Sequence, residues 1–320
     1  MKFYFAPMEG ITGYLYRNAY HTCFSQVEPD KYFTPFFVPM EQGKFTPRDM
    51  NDMAPEHNRG MNVVPQLLTN RADDFIGAAR TLKDLGYEEV NLNLGCPSGT
   101  VVAKRKGSGF LAYPEELDRF LDRIFEASEI KISVKTRIGK DDPDEFDELL
   151  EIYNRYPIEE LIVHPRMQRD FYKNRPNMEA FEKALDRGEN PVCYNGNIFT
   201  ARDYREFVQN YHQVEAVMLG RGLIANPWLI GDIRGEQRPG KEQLLEFHDL
   251  VCDSYREYMS GDRNVLFKMK ELWLYLGCMF PDADRLLKKI KKSERLSDYD
   301  VAVRTLFRER DLLEGGGYRG

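Results

Sequence analysis

Eight short apolar runs constrain the fold of this chain more than any other feature of its sequence. Each run is rich in Val, Ile, Leu, Phe or Tyr and is followed by Gly, Pro or Asn, which is typical of strands. The runs begin at Lys2, Tyr32, Asn62, Glu89, Lys131, Glu160, Pro191 and Ala216. Most of the segments between them have helical spacing and many helix-forming residues. Strand and helix alternating eight times predict an α/β fold, the (β/α)8 TIM barrel.

A doubly wound open sheet is the alternative architecture for such an alternation. It is disfavoured because no G-x-G-x-x-G motif follows an early strand and because the number of runs reaches eight. The segment from Tyr32 to Asn58 fits the barrel pattern least well. Pro35 and Pro39 interrupt it, and the helix that should follow is poorly defined.

Beyond residue 237 the pattern changes to helices alone. A polar linker, "RGEQRPGKEQ", precedes segments whose apolar residues repeat with helical spacing, such as Leu244, Phe247 and Val251. We therefore predict a barrel domain over residues 1–237 and a small all-helical domain over residues 238–320. The final stretch, "GGGYRG", is predicted to be disordered.

Cysteine usage and charge exclude several classes of protein. The five cysteines are an odd number and form no C-x-x-C or Cys/His cluster, which argues against a disulfide framework and against a metal site. No apolar run is long enough to cross a bilayer, and the start lacks the apolar core of a secretory signal. A net charge of −7 argues against a protein that coats nucleic acid indiscriminately, although a local basic patch can still bind a polyanion. We expect a cytoplasmic protein with reduced thiols.

Polar or reactive residues close seven of the eight runs. In a TIM barrel the carboxyl ends of the strands build the active site. These residues are Pro7, Met8, Glu9, Gln66, Asn93, Cys96, Lys135, Arg137, His164, Arg166, Asn195, Gly196, Asn197, Gly220 and Arg221. A purely structural role does not require this joint placement.

Together these strand ends describe a site for flavin mononucleotide (FMN). The last two runs end in "NGN" and "GRG", whose glycines let backbone amides approach a phosphate where such barrels usually bind one. Lys135 would set a positive charge beside an electron-rich ring, and Gln66 and Asn93 can hydrogen-bond its amide edge. Taken singly, each feature has a structural explanation: "GRG" as a turn with a solvated arginine, Lys135 as the cap of a barrel layer, and His164 as a satisfied core or rim residue.

The stretch "NLNLGCPSG", from Asn91 to Gly99, places a cysteine at the tip of the fourth run. A free cysteine is most often a small buried hydrophobic residue. Cys96, however, follows the strand rather than lying inside it.

Seven stretches of the barrel carry a resemblance to a known family. They are "APMEGIT", "PQLL", "NLNLGCPSGTVVAKRKGSGFL", "SVKTRIG", "VHPR", "NGNI" and "GRGLIANPWL". Their order and spacing resemble the tRNA-dihydrouridine synthase family, whose most specific motif here is the Asn-x-Asn-x-Gly-Cys-Pro run. The helical segment after the barrel is also what that family carries.

The resemblance implies a reaction and a role for each site residue. Reduced FMN would give a hydride to one carbon of a uracil ring, and Cys96 would give a proton to its neighbour, as a mostly protonated thiol at a strand tip can. Asn93 would orient the uracil, and Arg137 would touch substrate or flavin. NADPH or NADH as reductant is implied by the family and has no recognisable motif here. The residues implied to hold FMN are Pro7, Met8, Glu9, Gln66, Lys135, His164, Asn195, Gly196, Asn197, Gly220 and Arg221.

Three basic segments are candidates for contact with a tRNA substrate. They are Lys104–Lys106 beside Cys96, where better-known members have fewer basic residues; "RMQRDFYKNRP" after the sixth run; and the lysines of the helical segment, Lys288, Lys289, Lys291 and Lys292. A basic surface that receives an extruded base would suit a uridine in folded RNA. A solvated helix face is the alternative for each. We expect tRNA as partner, no DNA, no membrane and a monomer.

Three other functions compete with this interpretation. The same chemistry on rRNA is one. A flavin barrel acting on a free pyrimidine, as in the dihydroorotate dehydrogenases, is another, although a basic helical domain is not needed for so small a substrate. A catalytically silent RNA-binding barrel is the third, and the presence of Cys96 and Lys135 disfavours it.

Overall fold

The computed structural model describes residues 1–318, and nine parallel strands form its single sheet. Along the sheet the order is β3-β2-β1-β9-β8-β7-β6-β5-β4. The strands are β1 Lys2–Phe5, β2 Lys31–Phe33, β3 Val63–Val64, β4 Gln66–Leu67, β5 Glu89–Leu94, β6 Lys131–Gly139, β7 Leu161–Met167, β8 Val192–Tyr194 and β9 Ala216–Leu219. Each of the eight predicted runs contains a strand or, in one case, two.

The third run supplies two strands, because Pro65 divides it. Proline has no backbone N–H and cannot donate to a ladder; its carbonyl still accepts a hydrogen bond from the Asn91 amide at 2.8 Å. β3 pairs with β2 and β4 pairs with β5. Because the two ends of the strand order are neighbours in the chain, the sheet nearly closes on itself. The predicted TIM barrel is confirmed.

Helices follow most strands, as the alternation predicts. Pro114 begins α5 at its first position and Glu115 and Glu116 follow in the first turn, which suits the positive end of the helix dipole. Gly86, at φ +93°, follows α3 where a C-terminal glycine is expected. The helices are α1 Tyr14–Phe24, α2 Pro47–Met53, α3 Ala72–Asp84, α4 Gly99–Val102, α5 Pro114–Ala127, α6 Glu145–Tyr153, α7 Met178–Arg187, α8 Ala201–Asn210, α9 Arg221–Ala225 and α10 Leu229–Arg234.

The barrel interior is filled by buried side chains from six of the strands and the residue that follows β1. A cluster of eight such residues comprises Tyr4, Ala6, Phe33, Val64, Ile162, Cys193, Ala216 and Met218. Parallel strands that are covered on both sides carry nearly continuous apolar sequences, which explains why these runs were recognisable.

The chain divides into two compact units that are not contiguous in sequence. The first unit comprises Met1–Pro7, Asp30–Asn197 and His212–Met218, and holds most of the barrel strands. The second comprises Met8–Pro29, Ile198–Tyr211 and Leu219–Gly320. It therefore includes α1, α8, α9 and α10 besides the C-terminal helices. The single boundary between residues 237 and 238 stays a prediction.

Four helices follow the linker, where a helical bundle was predicted: α11 Lys241–Tyr258, α12 Asp262–Leu276, α13 Asp284–Lys292 and α14 Leu296–Glu309. Buried hydrogen bonds join three of them. The Trp273 indole N–H donates to Tyr299 Oη at 2.7 Å, and that hydroxyl lies 2.6 Å from His248 Nε2. Phe247 of α11 also packs on Tyr16 of α1, with ring centroids 5.3 Å apart.

The prediction of a disordered tail is wrong for residues 315–318. Gly316 and Gly317 are buried, and the Tyr318 ring stacks on Tyr275 with centroids 5.6 Å apart. The last two residues of the predicted tail, 319 and 320, lie outside the described part of the chain. Across residues 1–318, none of the helices has the length and apolarity needed to span a bilayer.

Candidate active site at the strand ends

Hydrogen bonds fix the backbone on both sides of Cys96. The Asn93 side-chain oxygen accepts from the Gly95 amide at 3.0 Å and from the Cys96 amide at 2.9 Å. The Ser108 hydroxyl donates to the Cys96 carbonyl at 2.8 Å. Gly107, at φ +56°, lies so close that an added Cβ would stand 2.8 Å from the Cys96 carbonyl oxygen. Cys96 is half-buried, whereas three of the other cysteines, Cys23, Cys193 and Cys252, are buried.

A row of amide side chains connects this loop to the barrel wall. Asn93 Nδ2 donates to Gln66 Oε1 at 2.7 Å, Gln66 Nε2 donates to Asn91 Oδ1 at 2.7 Å, and Asn91 Nδ2 donates to Ser133 Oγ at 2.9 Å. The row fixes which end of each amide faces the barrel mouth. An amide nitrogen carries two protons, so Gln66 and Asn93 each keep one N–H beyond these bonds.

Lys135 places an amine in a largely enclosed position. Its Nζ donates to Asn195 Oδ1 at 2.6 Å, and Asn195 Nδ2 in turn donates to the Met218 carbonyl at 2.8 Å. Burial, and secondarily the charge of Arg137, lower the pKa of Lys135 to about 7. An anionic ligand would restore the charged form, because it supplies the counter-charge that the protein lacks.

Arg137 is almost completely buried and binds three backbone carbonyls. Nε donates to Gly95, Nη1 to Met167 and Nη2 to Phe171, at 2.9, 2.8 and 2.9 Å. These bonds tie the cysteine loop to the loop after β7. The predicted contact of Arg137 with substrate or flavin stays a prediction.

Arg166 fixes the tautomer of His164. Its Nη1 lies 2.6 Å from His164 Nε2, while Nε donates to the Asn174 carbonyl and Nη2 to Asn197 Oδ1. A guanidinium has no acceptor, so His164 Nε2 must accept this hydrogen bond and the ring proton must be on Nδ1. The His164 Nδ1 therefore carries the ring proton.

The residues after β8 belong to the same unit as Lys135 and His164. Asn195 and Asn197 bind Lys135 and Arg166 respectively, as described above. Between them Gly196 leaves no room for a side chain, because an added Cβ would overlap the Tyr194 hydroxyl. Seven of the predicted FMN contacts therefore lie in the first unit. They are Pro7, Gln66, Lys135, His164, Asn195, Gly196 and Asn197.

The other predicted FMN contacts belong to the second unit. Met8 begins the turn before α1, where its amide donates to Thr12 Oγ1 at 2.9 Å, and Glu9 follows. Gly220 precedes α9. The Arg221 guanidinium lies 5.2 Å from the Phe199 ring centroid and 5.0 Å from that of Tyr318. The described part of the tail therefore contributes to the surroundings of a predicted site residue.

The three basic residues after Cys96 differ in their surroundings. Arg105, at φ +52°, lies 4.4 Å from the Tyr113 ring centroid and 3.6 Å from a Glu116 carboxylate oxygen. Burial lowers the pKa of Lys106, whereas Lys104 is exposed. The sequence analysis grouped the three as one basic segment, and their contact with substrate stays a prediction.

Sequence reasoning did not assign site roles to Asn91, Ser108 and Arg166. Asn91 had a usable signal, since residues two apart in a strand point to the same face and Asn93 was already a candidate. Arg166 was noted at a strand end, but its contact with His164 was not foreseen. Ser108 had no signal, because its bond to Cys96 depends on the folding of a twelve-residue loop.

The donors at the strand ends fit a flavin. The Gln66 and Asn93 amides suit a ring with acceptor atoms, and an anionic group beside Lys135 would raise its lowered pKa again. Among residues 1–318, none of the His, Cys, Asp and Glu groupings is suited to a metal ion.

A parallel barrel with these strand ends defines a TIM-barrel oxidoreductase. A family model described as dihydrouridine synthase matches residues 4–300, so the chain belongs to that family. The predicted family is confirmed, and membership implies a flavin cofactor.

Individual relatives agree with this membership. The chain is 27% identical to "tRNA-dihydrouridine(16) synthase" of Haemophilus influenzae over 95% of this chain and 99% of that protein. It is 26% identical to "tRNA-dihydrouridine synthase B" of Pasteurella multocida over 71% and 67% of the two chains.

Similar solved structures share the fold. Morphinone reductase is similar with a TM-score of 0.52 and 15% identity, covering 76% of this chain and 88% of that one. A 2-naphthoyl-CoA reductase complex has a TM-score of 0.56 and 10% identity, covering 73% and 50%.

Proposed function

We propose that this protein is an FMN-dependent tRNA-dihydrouridine synthase that reduces the C5–C6 double bond of specific uridines in tRNA. The position of Cys96 carries the proposal: a half-buried thiol follows β5, with both adjacent peptide groups hydrogen-bonded. Such fixation suits a group that must deliver a proton to one atom of a bound ring.

Each component of the reaction has a residue suited to it. FMN, when bound, supplies the hydride for one carbon of the double bond. Cys96 donates the proton from Sγ to the neighbouring carbon, and solvent reprotonates the thiolate. Asn93 orients the uracil through the N–H that its hydrogen bond to Gln66 leaves available.

The second group of residues is proposed to hold FMN. Lys135 stabilises negative charge on the ring, and His164 donates from Nδ1. Charge on Lys135 costs little once an anion is bound, because the burial that lowers its pKa is then offset by a counter-charge. The remaining proposed contacts are Pro7, Met8, Glu9, Gln66, Asn195, Gly196, Asn197, Gly220 and Arg221.

A basic groove supports RNA binding by the helical domain. It lies between α13 and α14 and has a volume of about 610 Å³. Its lining holds four basic residues, Arg285, Lys288, Lys289 and Lys292, and two acidic ones, Glu294 and Asp298. Of the four lysines noted in the sequence, Lys291 is exposed on the same helix but does not line the groove. We propose that the groove binds RNA phosphates.

The finer assignments are also proposals. NADPH or NADH reduces the flavin, the RNA is tRNA rather than rRNA, and the protein is a cytoplasmic monomer that binds neither DNA nor membrane. The names of the relatives support tRNA. The barrel domain is proposed to be catalytic, and residues 238–320 to be the RNA-binding domain.

Substitution of Cys96 tests the proposed function. Cys96→Ala should retain flavin and allow NADPH to reduce it, while dihydrouridine formation falls by about 10²-fold or more, the usual contribution of a general acid. Cys252→Ala, at a buried cysteine outside the site, is the control and should form dihydrouridine normally. Unchanged product formation by Cys96→Ala would remove Cys96 from the mechanism.

A further inference from the structure

The loop between β7 and α7 presents an aromatic side chain on a fixed backbone. The Phe171 amide donates to the Gln168 carbonyl at 3.3 Å, and its carbonyl accepts from Arg137 Nη2 at 2.9 Å. The Lys173 amide donates to the Asp170 carbonyl at 3.0 Å. The position of Phe171 is therefore set by backbone bonds on both sides of it.

The backbone conformation of Phe171 is strained. Its φ is +49° and its ψ −100°, in a region that residues with side chains rarely adopt. Nevertheless its side chain is 44% exposed, and no ring contact within residues 1–318 involves it. Strain that gains no packing is typical of a functional position.

This loop is tied to the cysteine loop at two points. Arg137, which binds the Phe171 and Met167 carbonyls, also binds the carbonyl of Gly95. Gln168 Nε2 donates to the Pro97 carbonyl at 3.4 Å. Gly95 and Pro97 are the two neighbours of Cys96, so these bonds fix the position of the Phe171 backbone relative to the cysteine loop.

The exposed surface around Phe171 is positively charged. Arg169, Lys173 and Arg175 are exposed, and Tyr172 is 48% exposed. The one acidic residue of the segment, Asp170, is buried, and its carboxylate accepts from the Met167 amide and from Asn174 Nδ2. Cations beside an exposed ring fit an unpaired nucleotide, whose base can stack while its phosphates meet the charges.

We propose that Phe171 stacks on an unpaired base next to the target uridine, and that Arg169, Lys173 and Arg175 contact phosphates of the same strand. This inference rests on the proposed function and identifies where its RNA substrate lies beside Cys96. A duplex does not fit, because its bases have no free face for the ring.

Steady-state kinetics test the stacking. Phe171→Ala keeps the backbone carbonyl that Arg137 binds, so we expect kcat/KM for tRNA to fall about tenfold or more, in the range for loss of a stacking aromatic. Flavin content and NADPH-driven flavin reduction should stay at the parent level in Phe171→Ala. Phe171→Trp should keep most of the parent kcat/KM, because it retains an aromatic ring. Phe125→Ala, at a half-buried phenylalanine of α5 that stacks on Tyr156 and lies outside the proposed RNA-binding domain, is the control.

Fluorescence provides a second measurement that does not need turnover. The two native tryptophans, Trp228 and Trp273, are buried, so the added emission of Phe171→Trp reports on the loop. A short single-stranded oligouridine should quench it, and substituting Arg169, Lys173 and Arg175 with Gln should weaken the quenching and reduce its salt dependence.

The outcomes separate this inference from the proposed function. Parent-level kcat/KM in Phe171→Ala, or an equal loss in Phe125→Ala, would overturn the stacking. If the parent protein forms no dihydrouridine, the proposed function fails, and quenching then decides alone: quenched emission supports the RNA surface and unquenched emission overturns it.

Discussion

Lys135 should make the stability of the flavin-free protein depend on pH in a defined window. A lysine whose pKa falls on folding contributes stability that is present above its unfolded value of 10.5 and is lost as pH falls through its folded value, about 7. The shift corresponds to about 5 kcal/mol as an upper limit. Because part of the side chain remains accessible to solvent, we expect about 2–3 kcal/mol.

Urea unfolding of the flavin-free protein between pH 7.5 and pH 9 measures this contribution. We expect the free energy of unfolding of the parent to rise by up to about 1.4 kcal/mol per pH unit in this range. Lys135→Met should lack that dependence and be more stable than the parent at pH 7.5.

Flavin binding should show the reverse dependence on pH. An anionic flavin requires the protonated amine, so the Kd of the parent for FMN should increase up to tenfold per pH unit above 7, and Lys135→Met should bind weakly with little dependence on pH. If the parent and Lys135→Met have equal slopes in both measurements, the assignment of the amine is refuted.

Three other predictions concern different parts of the molecule. Burial raises the pKa of Glu160 to about 7, so its stabilising contribution is present below pH 4.5 and is lost as pH rises through 7; Glu160→Gln should remove this loss in unfolding measured between pH 5 and pH 8. Arg166→Met should remove the hydrogen bond that fixes the His164 tautomer, and we expect FMN to bind at least tenfold more weakly in a fluorescence titration, with Arg166→Lys intermediate. Unchanged affinity would show that this hydrogen bond has no role in FMN binding. Alanine substitutions in the groove should weaken tRNA binding and reduce the slope of log K against log salt concentration by about 0.7–0.9 per lost phosphate contact. Lys291→Ala should change neither the affinity nor the slope, and equal effects of the two substitutions would exclude the groove as the RNA site. The groove lysines to replace are Lys288, Lys289 and Lys292.

The barrel could be predicted because its strands leave a local record. Each strand of a covered parallel sheet is a short apolar run, and a polar residue marks the point where it reaches the mouth. The split of the third run at Pro65 also follows from a local property, the missing N–H of proline.

The contacts of long side chains could not be predicted from local sequence in the same way. Lys135 and Arg137 lie two residues apart on one face of β6, and both were predicted to contact ligand. The Arg137 guanidinium instead binds the carbonyls of Gly95, Met167 and Phe171, which are up to 42 residues away in the chain. The packing of Tyr318 and the grouping of α1 with α11 likewise depend on contacts between distant segments. Periodicity and composition carry no information about such contacts.

The central claim is tested most directly by mass spectrometry of nuclease fragments from unmodified tRNA and rRNA incubated with the purified protein and NADPH. We expect a gain of two hydrogens at a uridine of tRNA, and Cys96→Ala should abolish it. A gain only in rRNA would retain the chemistry and contradict the substrate. No gain in either RNA, from a protein that holds flavin, would contradict the account and favour a small pyrimidine as substrate.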